Sequence, residues 1–253
     1  AAGGALHASG DATVEVKVVD GLAFTTATHV AVSSDKTLTL KRKAPGNIKG
    51  AGVMTLSGGG TLNVNLPLTT ATGLEIKDGS TLNVVDTLPD LTGPAVTIAN
   101  GNLTLGYNLP AAVKRVEVTE GVLTVGQGRL IGNGDNTAPD GVVDLKDKGH
   151  LVLSGDLALK DLKTADGSKI TANGNVLTII DPASPFVLNA EIGKGTLSLD
   201  VAAGQTAALS KNVANVVFNG KTDGAAGAPT LKIEERVSVN HLDIRGSTME
   251  PAS

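Results

Sequence analysis

Apolar and polar residues alternate along this chain in short runs, and the runs recur. In residues 74–84 the pairs Leu74/Ile76 and Leu82/Val84 flank a turn at Asp78-Gly79. Strict two-residue alternation is the mark of a strand with one buried face. The leucine that opens the second run returns as Leu62, Leu82, Leu103, Leu123, Leu151, Leu177 and Leu197. Two residues after each stands Val64, Val84, Leu105, Val125, Leu153, Ile179 or Leu199. A glycine comes shortly before each leucine, as Gly60, Gly79, Gly101, Gly121, Gly149, Gly174 and Gly195. The leucine spacings are 20, 21, 20, 28, 26 and 20 residues, which predicts a coil of about 20 residues interrupted by two insertions. A third apolar pair follows in several repeats, such as Leu88/Leu91 and Leu109/Val113, so each coil is expected to hold three short strands.

Pairs this small cannot bury enough surface within one coil to offset the chain entropy of ordering it, so each coil needs neighbours above and below. The expected fold is therefore all-β, a parallel β-helix or β-solenoid, elongated at about 4.8 Å per coil. The turns at Asp78-Gly79 and Asn100-Gly101 are also strong hairpin signals. An antiparallel β-sandwich built from hairpins is the alternative. Residues 1–246 read as one elongated body, most regular over 50–200, with 247–253 as a polar tail. Ahead of the regular part, Val14, Val16 and Val18 alternate with polar residues as a strand. The stretches 132–141 and 222–229 read as polar loops, the first filling the interval of 28 residues. Leu157, Leu159 and Leu162 predict an additional strand in the interval of 26. The alanine-rich stretch 201–213 reads as strand and turn.

Composition narrows the picture. The chain is 41% hydrophobic but only 2% aromatic, with 32 glycines, which suits a narrow interior filled by aliphatic rows. The net charge of −4 and a single tight basic run, Lys41-Arg42-Lys43, argue against a nucleic-acid partner, since phosphate binding leans on clustered Lys and Arg. There is no cysteine, which excludes disulfides and thiolate metal sites. No segment approaches the roughly 18 apolar residues of a membrane helix, so membrane insertion is not expected. The opening residues carry no leader-like pattern, and a mature or excised segment is expected.

The residues that carry chemistry are scattered. His7, His29, His150 and His241 form no metal-type pair. Asp135, Asp140 and Asp144 offer oxygen ligands, but without the spaced acidic ladder of a calcium loop. Nucleophile elbows and phosphate loops are missing, and Gly126-Gln-Gly128 is an isolated turn pair. Glu75, Glu117 and Glu120 are the carboxylates to examine for an acid–base pair. Tyr107 is the only tyrosine and there is no tryptophan, so the aromatic platforms of carbohydrate-cleaving grooves are absent. The expectation is a protein that is not an enzyme, with no catalytic, metal or cofactor residues assigned and no cofactor.

The runs Val-Thr-Ile-Ala-Asn-Gly-Asn-Leu-Thr-Leu at 96–105 and Ile-Thr-Ala-Asn-Gly-Asn-Val-Leu-Thr-Ile at 170–179 resemble the repeats of bacterial autotransporter passengers and filamentous-haemagglutinin-type adhesins. The resemblance spans roughly residues 50–200. It implies a right-handed parallel β-helix displayed outside a bacterial cell, in adhesion, with a host or cell-surface receptor as partner. The alternative expectation is a self-assembling subunit of a surface filament or S-layer. Its partners would be further copies of itself, joined head to tail through terminal strands, with 14–19 as a strand donated between subunits.

Overall fold

The computed structural model describes residues 4–16, 22–24, 28–42, 48–50, 52–65, 68–69, 73–84, 95–106, 113–126, 129–130, 140–221, 227–246 and 248–251. All ladders between strands in these residues are parallel, and the one antiparallel contact is an isolated bridge between Ser33 and Gly59. The chain is a β-solenoid. The sandwich alternative fails at the turns, because after Asp78-Gly79 the chain turns a corner into a different sheet instead of folding back along Gly73–Lys77.

Three faces surround the interior. Face A is an eight-stranded sheet whose members include Gly4–Ala8, Val53–Ser57, Gly73–Lys77, Ala95–Ala99, Arg115–Thr119, Val142–Lys146 and Asp161–Thr164. Hydrogen bonds between Thr164 and Asn189 lead from it to a second sheet, Phe186–Leu188, Thr206–Leu209, Thr230–Ile233 and Thr248–Pro251. Face B stacks Ala12–Val16, Thr37–Arg42, Thr61–Asn65, Thr81–Val84, Asn102–Leu105, Val122–Val125, His150–Leu153 and Lys169–Thr171. Face C holds third strands of coils, such as Leu157–Leu159 and Val176–Ile180; Leu88, Leu91 and Leu109, expected in such strands, lie outside the described residues. In the later coils faces B and C fuse. Strand Ile192–Val201 begins beside Ile170 on face B and ends beside Val176–Ile180 on face C, with its register shifting between Ile192 and Thr196.

Inward positions form rows along the axis. Leu62, Leu82, Leu103, Leu123 and Leu151 stack at partnered positions and are fully buried. The next member of that row is Ile170, not the expected Leu177. Leu177 lies over Leu157 on face C. The interval of 26 residues therefore contains no insertion: Leu157–Leu159 is the ordinary third strand of its coil, and Asp161–Thr164 opens the next. The interval of 28 does contain extra chain, between Arg129–Leu130 and Val142–Lys146, though 131–139 lie outside the described residues.

The corner between faces A and B carries a column of small residues: Gly60, Ser80, Gly101, Gly121, Gly149 and Ser168. The backbone N–H of Thr81, Asn102, Val122, His150 and Lys169 each donates to the carbonyl of the column member one coil earlier. Gly79, Gly174 and Gly195, expected in this column, stand elsewhere, Gly79 one residue before Ser80 and the other two at the corner leading to face C. Just before the column, Asn100 and Glu120 have φ of 58° and 54°. Asn tolerates that left-handed conformation far better than Glu does.

At the flanks, Ala12–Val16 is a strand as expected and pairs along one edge with Thr37–Arg42, Val14 beside Leu40; Val18 lies outside the described residues. The stretch expected as a polar tail supplies a strand, Thr248–Pro251, paired in parallel with Thr230–Ile233. The alanine-rich stretch does contain a strand, Thr206–Leu209, as expected.

Candidate functional site

On each face the outward side chains also form rows, because a parallel register with no slip puts equivalent positions one above another at about 4.8 Å. Along face A the central outward row runs Thr55, Glu75, Thr97, Glu117, Asp144 and Lys163. Glu75 accepts from Thr55 Oγ1 at 3.1 Å and faces Lys77. Glu117 and Asp144 are neighbours one coil apart, the arrangement an acid–base pair would need. Both are held by cations: Arg115 bonds Asp144 and stands 3.3 Å from Glu117, which also meets Lys146 at 2.6 Å. Asp140 is bound to Lys114. These contacts pin the chain where it returns from the 131–139 segment, and they leave the carboxylates engaged. Glu120, the third carboxylate singled out, is on the A/B corner facing Lys148.

The calcium candidates do not gather either. Asp140 and Asp144 are each neutralised by a cation, and Asp135 lies outside the described residues, as does Tyr107. Among the described residues no group of three or more metal-ligating side chains is present, and no helix is long and apolar enough to cross a membrane. The histidines remain apart. His29 Nε2 lies 2.6 Å from Ser57 Oγ on face A, and His150 Nε2 lies 2.8 Å from Thr171 Oγ1 on face B.

His150 is held below the ordinary histidine range, first because it is partly buried and second because Lys169 occupies the next position in its row. Its charged form is thus disfavoured in the fold. The unfolded chain binds the proton more readily, so this residue's contribution to stability is present above about pH 6.5 and declines as pH falls toward the lower folded-state value. In an NMR titration the His150 ring should show a midpoint below 6.5, the unperturbed value. Lys169→Ala should move it only part of the way back, since burial persists. A midpoint at or above the ordinary value would contradict this packing.

Face B differs from face A in having no charge over its middle coils. One outward row reads Thr37, Thr61, Thr81, Asn102, Val122, and a second reads Thr39, Asn63, Asn83, Thr104, Thr124. Charge enters toward the ends, for example through Glu15 and Lys41 in the first coils and through His150 and Lys169 in the later ones. The rows are stitched together. Asn83 Nδ2 donates to Asn63 Oδ1 at 2.9 Å, Asn63 Nδ2 to Thr39 Oγ1 at 3.5 Å, and Asn102 Nδ2 to Thr81 Oγ1 at 3.2 Å. Each such bond uses one donor and one acceptor, while an amide has two N–H donors and two acceptor lone pairs. The ladder is fixed in place and still has hydrogen-bonding capacity.

Beside this ladder lies an open trough of about 560 Å³, lined by Thr39, Asn63, Asn65, Asn83, Val84, Thr104 and Gly106. Asn65 Oδ1 is buried there with no hydrogen-bond partner. An unmatched buried acceptor costs about 1–3 kcal/mol. Two other clefts among the described residues are more charged. One of about 470 Å³ includes Asp166, Lys169, Glu191 and Lys211, with Lys211 3.0 Å from Asp166; one of about 240 Å³ includes Glu120, Lys148, His150 and Lys169. Their charges largely face one another.

The sequence reading did not single out the trough. The signal available was the repeated Thr-Leu-Asn-Val at 61–64 and 81–84, identical outward residues spaced by one coil. Fold and geometry define the class of protein, a β-solenoid with one charged and one neutral hydroxyl-and-amide face. Compared with protein-family models, curated proteins and solved structures, the chain matches none.

Proposed function

We propose that this chain is a non-enzymatic, adhesive β-solenoid carried on the outside of a bacterial cell, as a passenger or stalk segment, and that face B is the surface that makes contact. The observation that supports this reading is the uncharged Thr/Asn ladder, held rigid by bonds between coils and repeated over several of them. A repeated array gives many weak contacts at once, so the sum is strong though each is small. A catalytic reading has less support, because the adjacent carboxylates on face A are engaged by Arg115 and Lys146.

The second reading, a head-to-tail self-assembling subunit, is favoured by one feature of the terminal coils. Inward-facing Leu6 and Val14 at one end, and Leu242 and Ile244 at the other, are partly exposed, whereas their partners one coil inward, Val30, Leu40, Val216 and Phe218, are buried. One experiment separates the two. Beads coated with the full chain are counted on bacterial and epithelial cell layers, and the same preparation is imaged by negative-stain electron microscopy. The adhesive reading expects isolated rods and bead binding that falls at least fivefold with Thr81→Glu/Thr104→Glu on face B, but not with Thr97→Glu on face A. Regular filaments with no bead binding would replace it with the second reading. Equal loss from both substitutions would remove face B from the account.

A further inference from the structure

The trough on face B narrows the chemistry of what could bind there. Among the described residues its lining is amide, hydroxyl and small aliphatic, with no charged side chain. A phosphate or nucleic-acid ligand would need Lys or Arg along the path. A protein partner would be expected to meet aromatic, Met or Arg anchors, and none is among the described lining residues. The trough is also directional. Thr39, Asn63, Asn83 and Thr104 come from four successive coils in one outward row, and Asn65 and Gly106 flank that row. The same type of group therefore recurs about every 4.8 Å along the axis, a step close to the length of one sugar ring in an extended chain. A ligand that gains from every step must itself be linear, repetitive, uncharged and rich in hydroxyls.

We propose that this trough binds a linear neutral polysaccharide laid along the solenoid axis, with Asn63, Asn83 and Thr104 exchanging hydrogen bonds with successive sugar hydroxyls. This deepens the adhesive reading and rests on it. Each amide is already oriented by its neighbour on the adjacent coil, so little side-chain freedom is lost on binding. With no aromatic platform among the described lining residues, each sugar is held weakly, and retention comes from the number of coils engaged. Polymers should therefore bind far better than short oligosaccharides.

The test is native affinity electrophoresis of the full chain in gels cast with hydroxyethylcellulose, glucomannan, galactomannan or dextran, with polygalacturonate as the charged comparison. The expected result is retarded migration in at least one neutral gel, none beyond the blank in polygalacturonate, and at least tenfold weaker retention for Asn83→Asp and for Thr104→Tyr. Thr97→Tyr on face A should migrate like the parent, and far-UV circular dichroism should be unchanged in all three. Unretarded migration in every neutral gel overturns the proposal, as does retention that the two trough substitutions leave intact. If beads still depend on face B while no neutral gel retards the chain, adhesion stands and the polysaccharide assignment falls.

Discussion

Replacing Leu103 with alanine should lower stability by about 4 kcal/mol, near the upper end for a buried leucine. Leu103 is fully buried between Leu82 and Leu123, its partners on the adjacent coils. In a globular core, neighbours can partly collapse into the space left behind. Here the coil spacing is set by backbone hydrogen bonds on both sides, and the stack cannot close. Because each coil contacts chiefly its neighbours, the loss should be local rather than shared by the whole rod. Hydrogen exchange should show amide protection falling by about a thousandfold in Thr81–Val84, Asn102–Leu105 and Val122–Val125. Thr104→Ala, on the outward side of the same strand, should stay within about 0.5 kcal/mol. Unchanged protection in Leu103→Ala would mean that the rows do not carry the stability assigned to them.

Gly121→Ala is expected to cost about 3 kcal/mol through added bulk. A Cβ at Gly121 would lie 2.4 Å from the Gly101 carbonyl oxygen and 2.6 Å from Ile98 Cγ2. The first of these is backbone, fixed by the hydrogen bond it accepts from Val122. Relief would require the two coils to move apart at the corner. Gly193 is the matched control, since a Cβ there meets nothing within 4 Å. Urea unfolding should place Gly193→Ala within about 0.5 kcal/mol of the parent and Gly121→Ala well below it. Equal midpoints for the two variants would show that the corner column is not close-packed.

The contrast between these glycines shows where sequence reading reached and where it stopped. That a coil such as 142–159 has three strands was legible, because alternation of apolar residues is a local signal set by the pleat. Which face a strand belongs to was not. Leu151/Leu153 on face B and Leu177/Ile179 on face C carry the same two-residue spacing, and Asn100-Gly101 and Asn173-Gly174 look alike while marking different corners. The resulting phase slip made an ordinary third strand look like an insertion. The ladder on face B had a different difficulty. Thr and Asn are unremarkable one at a time on an exposed strand, and their meaning comes only from register, which places Asn83 over Asn63 and leaves charge out of the row. The ion cluster at Arg115, Glu117, Asp144 and Lys146 was half legible: Glu117 and Asp144 were noticed separately, but their adjacency depends on pairing across 27 residues of chain.

The parallel register also determines how the rod would answer a pull on its two ends. Strands lie across the axis, so the bonds joining one coil to the next point along the line of force and a terminal coil meets it before any interior one. Yielding would then proceed by peeling, one coil per event. The 20 residues from Leu62 to Leu82 occupy about 4.8 Å of rod when folded and reach roughly 70 Å when drawn out. Such a body is stiff under small loads and lengthens more than tenfold where it gives way, which would make it a shock absorber between whatever its two ends hold.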